Sequence, residues 1–139
     1  MPTDLLFAYG ILMRGFPLHR LLEEVTEYVG AGQVTARLVD LGPYPGAIPD
    51  AQGRVRGEVY RVTRSGAWAV LDSVEGPQYH RREVTVRMDG DREAAAHIYW
   101  YVGPLNRTVP IPGGDYRAHG PALSIHQRSR ARPECQGGD

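Results

Sequence analysis

No stretch of this sequence stays apolar for long. The first run, Leu5-Leu6-Phe7-Ala8-Tyr9, follows Asp4 and is far shorter than a membrane span or a secretory apolar region, so no membrane partner is expected. Cysteine is nearly missing. Cys135 stands alone in a polar stretch, which excludes an intrachain disulfide framework, argues against a cysteine nucleophile and fits a reducing, cytoplasmic setting. There is no excess of charge of either sign: 16 Lys+Arg balance 16 Asp+Glu, and the electrostatic footprint of a nucleic-acid binder is lacking. The histidines at 19, 80, 97, 119 and 126 have no metal-ligand spacing with cysteine or carboxylates, so no metal site is expected. Walker loops, nucleophile elbows, dinucleotide fingerprints and internal repeats are absent as well.

What is present suits one domain. With 139 residues, 42% of them hydrophobic, the chain can bury a real core, and the periodic patterns place that domain at 1–123, followed by a flexible polar tail at 124–139. The most informative stretch is Leu71-Asp72-Ser73-Val74-Glu75-Gly76-Pro77-Gln78-Tyr79. Gly66 to Leu71 has apolar residues at helical spacing, whereas Val84, Val86 and Met88 alternate as in a strand. Gly76-Pro77 ends the helix, so Glu75 falls on a helix–strand corner at the rim of the core. Such a carboxylate can be a general acid or base, or a solvated turn residue.

Before that corner, Leu5 to Tyr9 reads as a buried strand closed by Gly10. The glycines of Tyr9-Gly10-Ile11-Leu12-Met13-Arg14-Gly15 permit a backbone in which successive N–H groups converge on a carboxylate or phosphate, or simply an ordinary strand-to-helix turn. Pro17 then predicts a helix with Leu18, Leu21, Leu22 and Val25 on one face. Val29 to Leu41 favours strand, and Gly42-Pro43-Tyr44-Pro45-Gly46-Ala47-Ile48-Pro49 reads as a stiff loop displaying Tyr44. Arg54 to Val62 is a strand whose Glu58 could be a second catalytic carboxylate, although a half-exposed strand normally alternates such charges into solvent.

Beyond the corner, Tyr79 to Met88 and Ala94 to Val102 predict an antiparallel hairpin turning at Asp89-Gly90. Tyr99 and Tyr101 on the second strand either line a barrel mouth or cover its outside. Val109 to Arg117 reads as another turn-rich loop, presenting Tyr116.

The combination is more telling than its parts. Phe7-Ala8-Tyr9-Gly10-Ile11-Leu12-Met13-Arg14-Gly15, then Leu41-Gly42-Pro43-Tyr44-Pro45-Gly46, Val55-Arg56-Gly57-Glu58-Val59-Tyr60, Leu71 to Gly76, and Tyr79 with Arg81 resemble the γ-glutamylcyclotransferase-like (AIG2-like) family in order and spacing. The late Pro112-Gly113-Gly114-Asp115-Tyr116-Arg117 is similar to that family's closing loop. The resemblance implies an α+β fold: a small, mainly antiparallel β-barrel with short flanking helices, a cavity at one end and no cofactor. It implies a small-molecule γ-glutamyl substrate cyclised to 5-oxoproline, with Glu75 as general acid/base. The substrate loop falls on Tyr9, Gly10, Ile11 and Leu12, and a substrate-contacting aromatic on Tyr116; Tyr44 and Tyr79 become candidate pocket walls. Ile11 departs from the pattern, because such loops carry serine or threonine there. Two alternatives stay open: a non-catalytic ligand-binding or regulatory member of the fold, and another acid–base lyase acting on amino-acid conjugates. The leaving amine and the oligomeric state are open too.

Overall fold

The computed structural model of the chain describes residues 3–106 and 108–123. The polar tail assigned to 124–139, with His126 and Cys135, lies outside the described residues. Eight strands form one continuous sheet: β1 (Leu5–Ala8), β2 (Thr26–Val34), β3 (Ala36–Asp40), β4 (Pro45–Pro49), β5 (Val55–Val62), β6 (Tyr79–Met88), β7 (Glu93–Tyr101) and β8 (Val109–Ile111). Two helices, α1 (Ala67–Glu75) and α2 (Tyr116–Leu123), accompany them. No helix among the described residues is long and apolar enough to cross a membrane.

The sheet runs β1-β5-β2-β6-β7, and a parallel bridge from Leu6 on β1 to His97 on β7 closes those strands into a barrel, antiparallel at every other seam. Val55, Val59, Val86, Ala96 and Ile98 are wholly buried in it. Small inward residues let the strands close tightly. A Cβ on Gly57 would stand 2.6 Å from the Phe7 ring, so only glycine fits that seam.

One edge of β7 is forked. Near its middle it pairs with β1, and further along Trp100 pairs in parallel with Ala47 of β4, which continues through β3 to β8 outside the ring. The Tyr9 hydroxyl sits in the fork, donating to the Tyr99 carbonyl at 2.7 Å and accepting the Ala47 N–H at 3.1 Å. A side chain thus satisfies backbone groups where β1 has left the ladder.

Four expectations need correction. The segment after Pro17 keeps its inward apolar face, with Leu22 wholly buried, but it forms i→i+3 turns and a short 3-10 stretch at His19–Leu21 in place of an α-helix. Crossing bonds from Leu18 N–H to the Ile11 carbonyl and between His19 Nδ1 and the Leu12 carbonyl tie it to the preceding loop, a constraint absent from its periodicity. The span from Val29 to Leu41 is two strands, β2 beginning earlier at Thr26 and β3 starting at Ala36. The proline-rich loop shrinks to Gly42–Tyr44, because Pro45 and Pro49 occupy the two ends of β4. The late loop, too, contains β8 and the start of α2.

Candidate active site

Glu75 is the last residue of α1, where Gly76 with φ 86° turns the chain out of the helix as the corner pattern predicts. Ala67 and Leu71 bury the inner face of α1, and its Asp72 side chain ties it sideways. Asp72 accepts from Arg81 Nε and Nη2 at 2.8 and 3.2 Å and from the Tyr99 hydroxyl at 2.7 Å. Arg81 in turn lies over the Trp68 ring of the same helix. Although burial opposes it, these bonds from Arg81 and Tyr99 hold the Asp72 carboxyl below its ordinary range. The helix end carrying Glu75 is therefore pinned to β6 and β7.

Beside Glu75 a cavity of about 130 Å³ opens at the fork of the sheet. The end of β1 and the following loop, Phe7 to Leu12, make one wall with Leu18; Tyr44 and Pro45 make another; Val74, Glu75, Tyr79 and Tyr99 complete it. Glu75 is half-buried, and no hydrogen bond to its carboxyl is formed among the described residues. Burial alone pushes that carboxyl up to about 7. Burial first, and then its neighbours, the Glu75 charge among them, push the Tyr9, Tyr79 and Tyr99 hydroxyls upward, so all three are neutral donors near neutral pH. Tyr79 is fixed by a 2.9 Å bond to the Pro45 carbonyl and stacks edgewise near Tyr44.

The loop wall is folded on itself. Met13 N–H bonds the Gly10 carbonyl at 3.0 Å, and the carbonyls of Ile11 and Leu12 are taken by Leu18 and His19. The N–H groups of Ile11 and Leu12 have no acceptor among the described residues. Gly10 packs on Pro45, where a Cβ would come within 2.7 Å of the proline ring.

The structure thus brings Tyr9, Gly10, Ile11, Leu12, Tyr44, Tyr79 and Glu75 around one cavity. It does not bring Tyr116 there: that residue opens α2, is 5% exposed, and packs its ring 5.4 Å from Phe16, behind the loop. Nor does Glu58 line the cavity or alternate into solvent; it is 7% exposed and bonded on all sides. Leu18 and Val74 are cavity residues that pattern reading did not assign to a site, and Tyr99, for which it left open a barrel mouth or the barrel's outside, lies in the cavity wall.

This fold and site define a barrel with a single raised-pKa carboxylate in an aromatic cavity. The sequence matches the profile described as "Gamma-glutamyl cyclotransferase, AIG2-like" over residues 6–118, and the chain belongs to that family. It is 29% identical over 119 residues to a Methanocaldococcus jannaschii protein named as a candidate gamma-glutamylcyclotransferase, covering 82% of this chain and 96% of that one. Among solved structures, an uncharacterized protein of Pyrococcus horikoshii superposes with a TM-score of 0.69 at 22% identity, covering 91% of this chain and all (100%) of the other. A mouse AIG2-like protein superposes with a TM-score of 0.65 at 23% identity, covering 76% and 82%. These two likenesses speak for the fold.

Proposed function

We propose that the protein is a γ-glutamylcyclotransferase-type enzyme: the α-amine of a γ-glutamyl group attacks its own γ-carbonyl, 5-oxoproline forms and the acylated amine leaves. The nucleophile belongs to the substrate, so the protein's tasks are to fold the glutamyl chain onto itself, remove a proton from the α-ammonium and return one to the departing nitrogen. Glu75 suits both proton transfers. The observation that carries the reading is this carboxyl at the cavity wall, without a hydrogen bond among the described residues and pushed by burial up to about 7, where it exchanges a proton readily at neutral pH.

The loop from Tyr9 to Leu12 suits the substrate's α-carboxylate, which backbone N–H groups can hold without the hydroxyl that Ile11 lacks. Nearby backbone N–H groups of the same loop, where those of Ile11 and Leu12 have no acceptor among the described residues, offer donors to the oxyanion that develops on the γ-carbonyl oxygen. Loss of one such donor typically costs about 3–4 kcal/mol in the transition state.

The test is 5-oxoproline release from a panel of γ-glutamyl amino acids, γ-glutamyl peptides and γ-glutamyl-lysine. Glu75→Gln keeps the shape but cannot cycle a proton, and turnover is expected to fall by about 100-fold or more while the circular dichroism is unchanged. Near-normal release by that variant would remove Glu75 from the mechanism. Ile11 supports a second reading, a ligand-binding relative, and binding of γ-glutamyl compounds by the parent without any turnover would establish it.

A further inference from the structure

Glu58 lies on β5, opposite Ala8 of β1, behind the loop that walls the cavity. Its Oε1 accepts the Arg14 backbone N–H at 2.9 Å and the Tyr60 hydroxyl at 2.6 Å, and its Oε2 accepts Arg117 Nη2 at 3.0 Å with Arg14 Nε at 3.5 Å. Burial works to raise this carboxyl, but the Tyr60, Arg14 and Arg117 donors outweigh it and hold Glu58 ionised. A buried carboxylate this fully bonded is unsuited to proton exchange and well suited to fixing whatever donates to it.

Two of its donors come from elements outside the closed ring of strands. Arg14 is two residues beyond Leu12 in the same loop, and Arg117 is in the first turn of α2. The Arg117 guanidinium also lies over the Phe16 ring, 5.1 Å from its centroid, and Phe16 packs on Tyr116. The loop is thereby held from behind at both Arg14 and Phe16 by β5 and α2.

We infer that Glu58 is a positioning residue: it holds the loop from Gly10 to Arg14 in its ligand-binding shape and makes that shape depend on α2 through Arg117. The functional part rests on the reading given above; the loop-holding part does not. Tyr116 on this view acts through Phe16 and the loop, without touching substrate.

The experiment compares the full chain with Glu58→Gln, Tyr60→Phe and Arg117→Ala by amide hydrogen exchange, 5-oxoproline calorimetry and steady-state kinetics. In Glu58→Gln the side-chain amide puts a donor against one of the groups that donate to Glu58, so exchange at Met13 and Arg14, the hydrogen-bonded amides of the loop, is expected to quicken by about tenfold or more while β5, β6 and β7 stay protected. KM and the 5-oxoproline Kd are expected to rise by about tenfold, with kcat within about threefold of the parent and the pH midpoint of kcat unmoved. Arg117→Ala and Tyr60→Phe, each removing one donor, are expected to shift the same quantities less, and they decide the matter if the Gln variant does not fold. Unchanged loop exchange overturns the inference, and so does a loss confined to kcat. If the parent neither binds nor turns over any γ-glutamyl compound, the functional reading fails, and loop exchange alone still decides whether Glu58 holds the loop.

Discussion

The Tyr99 hydroxyl donates to Asp72 Oδ1 at 2.7 Å, one helical turn ahead of Glu75. A strand residue of the cavity wall therefore sets the position of the helix that carries the candidate acid–base group. Tyr99→Phe keeps the ring and removes this bond; we expect about 1 kcal/mol less stability and a melting temperature lower by a few degrees. Turnover should fall with it, since Glu75 loses part of its lateral support. A variant with the parent's stability and kinetics would show that Arg81 alone suffices to pin the helix.

Glu75 also makes stability depend on pH. Its folded-state pKa, raised from an ordinary 4.5 to about 7, means that the folded protein holds this proton more tightly than the unfolded chain does. The resulting stabilisation is complete below 4.5 and is lost as pH rises through about 7. Glu75→Gln removes that dependence, so the variant should match the parent near pH 4.5 and exceed it at pH 8.5 by up to about 3 kcal/mol. Melting temperatures measured across that range check it, and a difference that does not vary with pH would contradict the buried-carboxyl assignment.

If the same group is the base, kcat/KM should rise as pH passes through about 7, where the free carboxylate appears. In Glu75→Gln the residual activity should no longer show that rise. A parent profile flat from pH 5 to 8 would mean that another group moves the proton.

Tyr9→Phe tests the fork. The buried hydroxyl serves Ala47 N–H and the Tyr99 carbonyl together, and its removal leaves both without that partner. We expect a loss of about 1–3 kcal/mol, read as a shifted denaturant midpoint with an unchanged slope. A variant as stable as the parent would mean that the fork closes without the phenol.

Gly10 and Ile11 should behave differently. A side chain at Gly10 meets the Pro45 ring at 2.7 Å, so Gly10→Val must displace either the loop or β4. We expect 5-oxoproline affinity to drop by about tenfold or more in that variant and by less than about threefold in Ile11→Ser, which trims a partly buried apolar side chain and adds a donor but leaves the loop backbone free of a clash. Equal effects would argue against a site built from backbone.

Patterns with a strict period were readable in the sequence: the β6–β7 hairpin, β5, and the α1 corner that ends at Gly76 all follow from alternation and punctuation within a few residues. The turns after Pro17 were not, because their geometry is fixed by bonds to the Ile11 and Leu12 carbonyls. Glu58 misled for a related reason. Alternation tells which face a residue shares with Tyr60 but not that Arg14 and Arg117 reach Glu58 on that face and that the His19 ring packs on Tyr60 there. In the cavity, the residues of the Tyr9–Leu12 loop and Glu75 were visible as motifs, whereas putting Tyr99 in its wall needed the register of β7 and putting Tyr116 outside it needed the packing of α2.

Because β1 and β4 part along one edge of β7, the cavity has walls of two different kinds. Ala8, Tyr9 and Tyr99 belong to or brace the closed ring, and changing them puts the fold at risk. Tyr44, 37% exposed on the short turn before β4, and the partly exposed Ile11 border the same space without filling the barrel. Substitutions at Tyr44 and Ile11 can therefore reshape the cavity while foldability is guarded elsewhere, a separation that lets one scaffold take new ligands by small steps.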